Sequence, residues 1–118
     1  MTVEINIRKK GLPPQLKRLY KKVLHEQKKN PKKSRTAKLF AEGSNKIAKK
    51  VVEEATEVSL DYVAGNRQGV ILETVDLLYN VMVLLADMNI DPREVWQEME
   101  RRDDALGLAA KLPKHWRI

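Results

Sequence analysis

The sequence predicts an all-α protein of four to five helices, and three observations support that prediction. Apolar residues recur at helical spacing, strong turn signals separate the periodic segments, and strand-like alternation is confined to residues 3–7. The chain has 118 residues, enough for one domain. We expect a central antiparallel helix hairpin and a helical bundle completed by dimerisation, because a monomer of this size buries a modest core.

The first two predicted helices follow a basic N-terminal arm, which we assign to residues 1–14. Pro14 suits a first helical turn, and apolar residues at helical spacing continue from there to residue 27. Ser34 is a candidate N-cap for a short second helix, which Gly43 would end.

The next two helices form the predicted hairpin. Ser44 is the candidate N-cap of a helix that runs to about residue 64, and the turn signal AGNRQG occupies residues 64–69. A second helix follows from about residue 70 to residue 88. Between residues 77 and 86 only Asn80 is strongly polar, which predicts burial nearly all round, within and between subunits.

The last predicted helix begins at Asp91-Pro92-Arg93-Glu94. This string supplies an N-cap, a proline at the first helical position and an acid three residues after the cap. We assign the all-α domain to residues 15–112 and a C-terminal tail to residues 113–118.

Charge and composition exclude several classes of protein. The net charge of +7 is unevenly divided, since residues 1–50 hold 16 basic and 3 acidic side chains and residues 51–118 hold 7 and 13. The absence of cysteine excludes disulfides, thiolate metal sites and a cysteine nucleophile. With neither a signal-peptide pattern nor an apolar run of about 18 residues, we expect a cytoplasmic protein without a membrane partner.

Two acidic clusters lie on the two arms of the predicted hairpin. Glu54 and Glu57 precede the turn, next to Glu53, and Glu73 and Asp76 follow it. Residues three apart share a helix face, and counting from the turn brings the two pairs to about the same level, offset by roughly 3 Å. The clusters are therefore expected to converge.

The two clusters differ in what else could explain them. The first cluster could instead belong to a solvated helix face, on which its carboxylates form ion pairs with Lys49 and Lys50. For this cluster, that alternative and a metal site both stay open. Glu73 and Asp76 lie among apolar residues in a helix expected to be largely buried, and residues 70–92 contain no lysine or arginine. Buried carboxylates need a counter-charge, so we predict a cation, and clustered oxygen ligands favour Mg²⁺, or Mn²⁺, over zinc.

A carboxylate-held Mg²⁺ usually acts on phosphates, which need further cations. Lys50 and Lys46 lie one and two turns before Glu54 on about the same face, and Arg35 and Lys38 lie on the short preceding helix. We predict that these four side chains contact the phosphates of an anionic substrate.

The acidic pattern resembles a known superfamily. Glu53-Glu54-x-x-Glu57, followed by Glu73-x-x-Asp76, is similar to the hallmark of the all-α MazG-like nucleotide pyrophosphohydrolases. Strings at residues 34–39, 43–54, 76–79 and 83–86 and the arginine pair at 101–102 resemble phosphoribosyl-ATP pyrophosphohydrolases, over roughly residues 15–112.

This resemblance implies Mg²⁺-dependent hydrolysis of phosphoribosyl-ATP to phosphoribosyl-AMP and pyrophosphate, in histidine biosynthesis. It implies that Glu54, Glu57, Glu73 and Asp76 hold the metal and that Glu53 is either a further ligand or the base that orients the attacking water. It also implies a homodimer or a larger homo-oligomer.

Three positions depart from the family's usual residues and leave other nucleotides open. Val52 replaces a glycine, Arg35 replaces an aromatic residue, and Asn80 replaces a histidine close enough to Asp76 to alter nucleotide recognition. One alternative is a house-cleaning pyrophosphohydrolase of NTPs or dNTPs. A nucleic-acid-binding protein is the other, suggested by the basic half; we do not expect it, because no familiar binding motif occurs and the lysines are not interleaved with aromatic residues.

Overall fold

The computed structural model describes residues 13–105, which form five α-helices and no strand. In chain order these are α1 (Pro14–Gln27), α2 (Arg35–Glu42), α3 (Ser44–Val63), α4 (Arg67–Asp87) and α5 (Pro92–Ala105). The all-α prediction is confirmed. The alternating residues 3–7, most of the proposed arm and the proposed C-terminal tail lie outside the described residues.

Helices α3 and α4 form the predicted antiparallel hairpin, with the largest packing interface between any two helices among the described residues. Gly65 adopts a φ of 70° in the connection, a conformation that favours glycine. The side chain of Asn66 accepts a hydrogen bond from the backbone N–H of Gly69 at 3.0 Å and so caps α4. As a result α4 begins at Arg67, three residues before the predicted start, and Gly69 lies inside the helix rather than in the turn.

The caps of the other helices follow the sequence signals with one exception. Ser34 caps α2 by accepting from the N–H of Ala37 at 3.1 Å. At α5, the carboxylate of Glu94 accepts from the N–H of Asp91 at 3.0 Å, as in a capping box. The prediction that Ser44 caps α3 is wrong, because Gly43 is the N-cap with a φ of 94° and Ser44 is the first helical residue.

The hydrophobic core surrounds the second half of α4. Val83 is fully buried there and belongs to one cluster with Val23 of α1, Leu39 of α2 and Ile47 of α3. The phenol of Tyr20 also donates to the carbonyl of Ile90, which ties α1 to the connection between α4 and α5. The packing of α1 and α2 on this half of α4 leaves the first half of the helix, with its two acids, beside α3.

The first half of α4 is more exposed than the sequence predicts. Ile71, Leu72 and Val75 are 44%, 55% and 59% exposed, and Leu60 and Val63 of α3 are 64% and 82% exposed. The expectation that Glu73 and Asp76 lie on a largely buried helix is therefore wrong for a single chain. By length and composition α4 could also cross a membrane, but core helices pass the same test.

Candidate active site

Three carboxylates converge between the two arms of the hairpin. Glu54 and Glu57, one turn apart on α3, and Glu73 of α4 each place an oxygen within 4.8 Å of the others. Glu54 is buried, Glu73 is partly buried and Glu57 is exposed. The predicted convergence of the two acidic clusters is thus found for three of the four carboxylates assigned to metal binding.

The carboxylate oxygens of this cluster outnumber the hydrogen-bond donors around them. One oxygen of Glu54 and one of Glu73 are buried without a hydrogen-bond partner. Hydrogen bonding to the carboxylates of Glu57 and Glu54, together with burial and their negative charges, raises the pKa of Glu73 to about 7. A proton therefore relieves the repulsion in the metal-free protein, and a cation at the same place would do so more completely.

Lys50 is the cation that reaches this cluster. Its ammonium nitrogen lies 3.4 Å from Glu54 and 3.5 Å from Glu53. Burial lowers the pKa of Lys50, but the hydrogen bonds and charges of Glu54 and Glu53 outweigh burial and raise it. Glu53 also lies 3.9 Å from Lys49, so this partly exposed carboxylate pairs with lysines and is not a member of the cluster of three.

Asp76, the fourth predicted metal ligand, is exposed and lies one turn beyond Glu73 on α4. It is not in the group of three carboxylates within 4.8 Å of one another. Instead, it lines a cavity together with Glu54. Asp76 therefore shares the cavity with one member of the cluster, Glu54, without belonging to the cluster itself.

This cavity has a volume of about 720 Å³ and is formed by α2, α3 and α4. Its lining includes the four basic side chains that the sequence nominates for phosphate contact, Asn80, and two of the nominated metal ligands: Arg35, Lys38, Lys46, Lys50, Asn80, Glu54 and Asp76. Basic side chains from α2 and α3 thus share one cavity with the acids of α3 and α4. Such a surface suits a polyphosphate with a bound divalent cation.

Asn80 forms a buried part of this wall, with 3% of its surface exposed. Its amide nitrogen donates to the backbone carbonyl of Asp76 at 2.9 Å, which leaves its oxygen buried and without a donor. An amide oxygen is a hydrogen-bond acceptor, so in this orientation Asn80 offers the cavity wall an acceptor that needs a donor.

The cavity lining also contains four residues that the sequence did not nominate: Thr36, Leu39, Glu42 and Tyr79. Tyr79 packs against the core, as its place in the apolar segment 77–86 predicts, and its hydroxyl also meets that of Thr36. The helical spacing between Asp76 and Tyr79 is a signal that could have found this residue.

The sequence model of a protein family described as Phosphoribosyl-ATP pyrophosphohydrolase matches residues 16–103. The chain belongs to this family. The matched range contains all the carboxylates and cations described above, so the resemblance seen in the acidic pattern is confirmed.

Individual members of the phosphoribosyl-ATP pyrophosphohydrolase family agree with this assignment. A Rhodopseudomonas palustris protein named phosphoribosyl-ATP pyrophosphatase 2 is 54% identical over 84% of this chain and 76% of its own length. A Bradyrhizobium diazoefficiens protein of the same name is 52% identical over 84% and 74%. The phosphoribosyl-ATP pyrophosphatase of Gluconobacter oxydans is 42% identical over 84% of this chain and 74% of its own length.

Proposed function

We propose that this protein hydrolyses phosphoribosyl-ATP to phosphoribosyl-AMP and pyrophosphate in histidine biosynthesis. The observation that supports this most directly is the cavity in which Arg35, Lys38 and the other basic side chains face Glu54 and Asp76. Family membership supplies the substrate class, because the relatives are named for this activity. A cytoplasmic location follows as part of the proposal.

The donor set supports a hard divalent cation as cofactor, with Mg²⁺ proposed first and Mn²⁺ as the alternative. Glu54, Glu57 and Glu73 supply converging oxygens, two of them without any other partner, and Asp76 is proposed as the fourth ligand. When bound, the ion neutralises phosphate charge and activates the phosphorus toward attack.

The side chains of the cavity then have distinct tasks. Arg35 and Lys38 on α2 and Lys46 on α3 are placed to bind phosphate oxygens that the carboxylates would otherwise repel. Lys50 holds Glu53 and Glu54 in place through ion pairs. Water adds its oxygen to phosphorus, and the bond between that phosphorus and the oxygen that bridges the α and β phosphates breaks. Pyrophosphate then leaves.

Glu53 is proposed as the base that takes the proton from the attacking water. It flanks Glu54, it is partly exposed and it lies outside the cluster of three carboxylates. A carboxylate that does not bind the metal can accept a proton from a water molecule within hydrogen-bond reach. The alternative assignment of Glu53 as a further metal ligand would require it to leave Lys49 and Lys50.

Pyrophosphate release is the experiment that tests this function. Phosphoribosyl-ATP is compared with a panel of NTPs and dNTPs, each with and without Mg²⁺. We expect metal-dependent release with phosphoribosyl-ATP as the preferred substrate. If no nucleotide is turned over, the enzyme assignment is wrong.

A second candidate substrate class is favoured by one feature of the cavity. The buried oxygen of Asn80 stands where a histidine is usual in the family and requires a donor. If dNTPs alone are hydrolysed in the same assay, the protein is a house-cleaning pyrophosphohydrolase on the same fold.

We also propose that the protein is a homodimer or a larger homo-oligomer. Exposed apolar side chains occur on both arms of the hairpin, among them Leu60 and Val63 of α3 and Leu72 and Val75 of α4. An apolar surface of this kind marks an interaction site more often than free surface. A second copy of the hairpin would cover it.

A further inference from the structure

A side-chain hydrogen bond joins the two helices that face each other across the cavity. The hydroxyl of Thr36, in the first turn of α2, meets the phenol of Tyr79 on α4. Both residues line the cavity, and Thr36 is only 8% exposed. Among residues 13–104, whose side chains the structure describes, no other side-chain hydrogen bond or ion pair connects α2 with another helix.

The position of this bond matters because of what its two helices carry. Thr36 follows Arg35 directly and precedes Lys38 by two residues, so the bond is made beside the cations of α2. Tyr79 lies three residues after Asp76 and next to Asn80, so its other end is beside the polar groups of α4. The bond therefore joins the helix that carries Arg35 and Lys38 to the helix that carries Asp76.

The remaining contacts of α2 do not replace this bond. Leu39 packs in the core with Ile47 and Val83, which holds the middle of α2. Lys38 pairs with Glu42 of its own helix at 4.0 Å, and this pair does not fix α2 relative to α4. Ala37, in the first turn, is also buried, so the hydroxyl pair adds to this packing the one side-chain hydrogen bond between that turn and α4 among the described residues.

We propose that Thr36 and Tyr79 are positioning residues that hold Arg35 and Lys38 at the spacing a polyphosphate chain requires. The pair acts through α2 and leaves the carboxylate cluster to α3 and α4. This inference rests on the proposed function and deepens it. Small errors in the placement of substrate-binding groups lower kcat/KM, by up to about 100-fold for a displacement of about 1 Å.

The test compares Thr36→Val, Tyr79→Phe and the double variant with the wild-type protein. Each single variant should raise the KM for phosphoribosyl-ATP roughly tenfold and change kcat much less, because substrate contacts are displaced. The double variant should be no worse than either single variant, because both remove the same bond. Thr36→Ser keeps the hydroxyl and should restore the wild-type KM.

Two further measurements separate positioning from a general structural role. The affinity of the substrate-free protein for Mn²⁺ should be unchanged in every variant, because among the described residues the two hydroxyls bond to each other and not to the carboxylates. Tyr62→Phe is the matched control; it removes a phenol that is 75% exposed and should leave KM unchanged.

The outcomes distinguish this inference from the function on which it rests. An active wild-type enzyme whose KM is unaltered by both single substitutions would overturn the positioning role and leave the function standing. Additive effects in the double variant, or a parallel loss of Mn²⁺ affinity, would also overturn it. If the wild-type protein turns over no nucleotide, the function and the inference fail together.

Discussion

At the scale of single residues, the site is governed by negative charge that the protein itself does not neutralise. Glu54 and Glu73 each bury an oxygen without a donor, and Lys50 is the one basic side chain that forms an ion pair with Glu54 among the described residues. The raised pKa of Glu73 is the direct consequence of this arrangement. Substitution of Glu73 therefore has opposite effects on activity and on the stability of the metal-free protein.

Glu73→Gln should reduce pyrophosphate release by about 100-fold or more, because it removes a charged oxygen from the proposed metal site. The helix should persist, since glutamine has a helix propensity similar to that of glutamate. Steady-state assays with phosphoribosyl-ATP measure the loss, and Asp87→Asn, an exposed change at the end of the same helix, is the control. Full activity in Glu73→Gln would remove this residue from the metal set.

The pKa of Glu73 predicts the pH dependence of stability without metal. Because its folded-state pKa of about 7 exceeds the ordinary value of 4.5, the folded protein binds more protons than the unfolded chain between these values. The stabilisation by this proton is lost as the pH rises through about 7. The Tm of metal-free wild-type protein should thus fall from pH 5 to pH 8 relative to that of Glu73→Gln.

Thermal unfolding at both pH values, with and without Mg²⁺, measures this effect. Mg²⁺ at pH 8 should raise the Tm of the wild-type protein more than that of Glu73→Gln, since the ion replaces the proton. Equal pH profiles for the two proteins would contradict the coupling of Glu73 to its neighbouring carboxylates.

At the scale of elements, the hairpin depends on how α4 begins. The side chain of Asn66 accepts from the N–H of Gly69, and its own N–H donates to the carbonyl of Asp61 at the end of α3. One residue therefore caps α4 and closes the turn that sets the level of Glu73 relative to Glu54.

Asn66→Ala should lower the free energy of unfolding by about 1 kcal/mol, the usual cost of losing an N-cap. Urea denaturation at saturating Mg²⁺ measures it. Asn45→Ala removes an exposed asparagine inside α3 and should be neutral or slightly stabilising. Equal midpoints for the two variants would show that the cap contributes nothing.

At the scale of the whole molecule, residues 13–104 expose several large apolar side chains on the hairpin. Leu72 and Val75 are more than half exposed on the helix that also supplies Glu73. The free energy of burying one such side chain fully is about 1.5–3 kcal/mol, so a partner hairpin would gain substantially. The proposed dimer accounts for this surface better than an isolated chain does.

Val75→Glu should shift the protein toward monomer, because it places a charge in the proposed interface. Light scattering coupled to size-exclusion chromatography measures the mass, and Lys21→Glu on the exposed face of α1 is the charge-changing control. A wild-type protein that is monomeric at micromolar concentration would refute the proposed assembly.

The sequence predicts the elements well because their signals are local. The α5 capping box and the Ser34 cap lie within four-residue strings, and both are present. The start of α4 predicted from the sequence is three residues too late, because a glycine such as Gly69 is typical of a turn. The sequence pattern does not show that Asn66 caps the helix before it. Burial around Ile71 was overestimated, because apolar sequence does not reveal which chain covers it.

By itself, the sequence determined the all-α class, the hairpin and the pairing of Glu54 with Glu57 on one helix face, because helical periodicity depends on near neighbours. Only the tertiary structure decided that Glu73 joins these two while Asp76 lines the cavity. It also decided that Thr36 meets Tyr79, 43 residues away. Such contacts depend on the packing of separate helices, which no local pattern specifies.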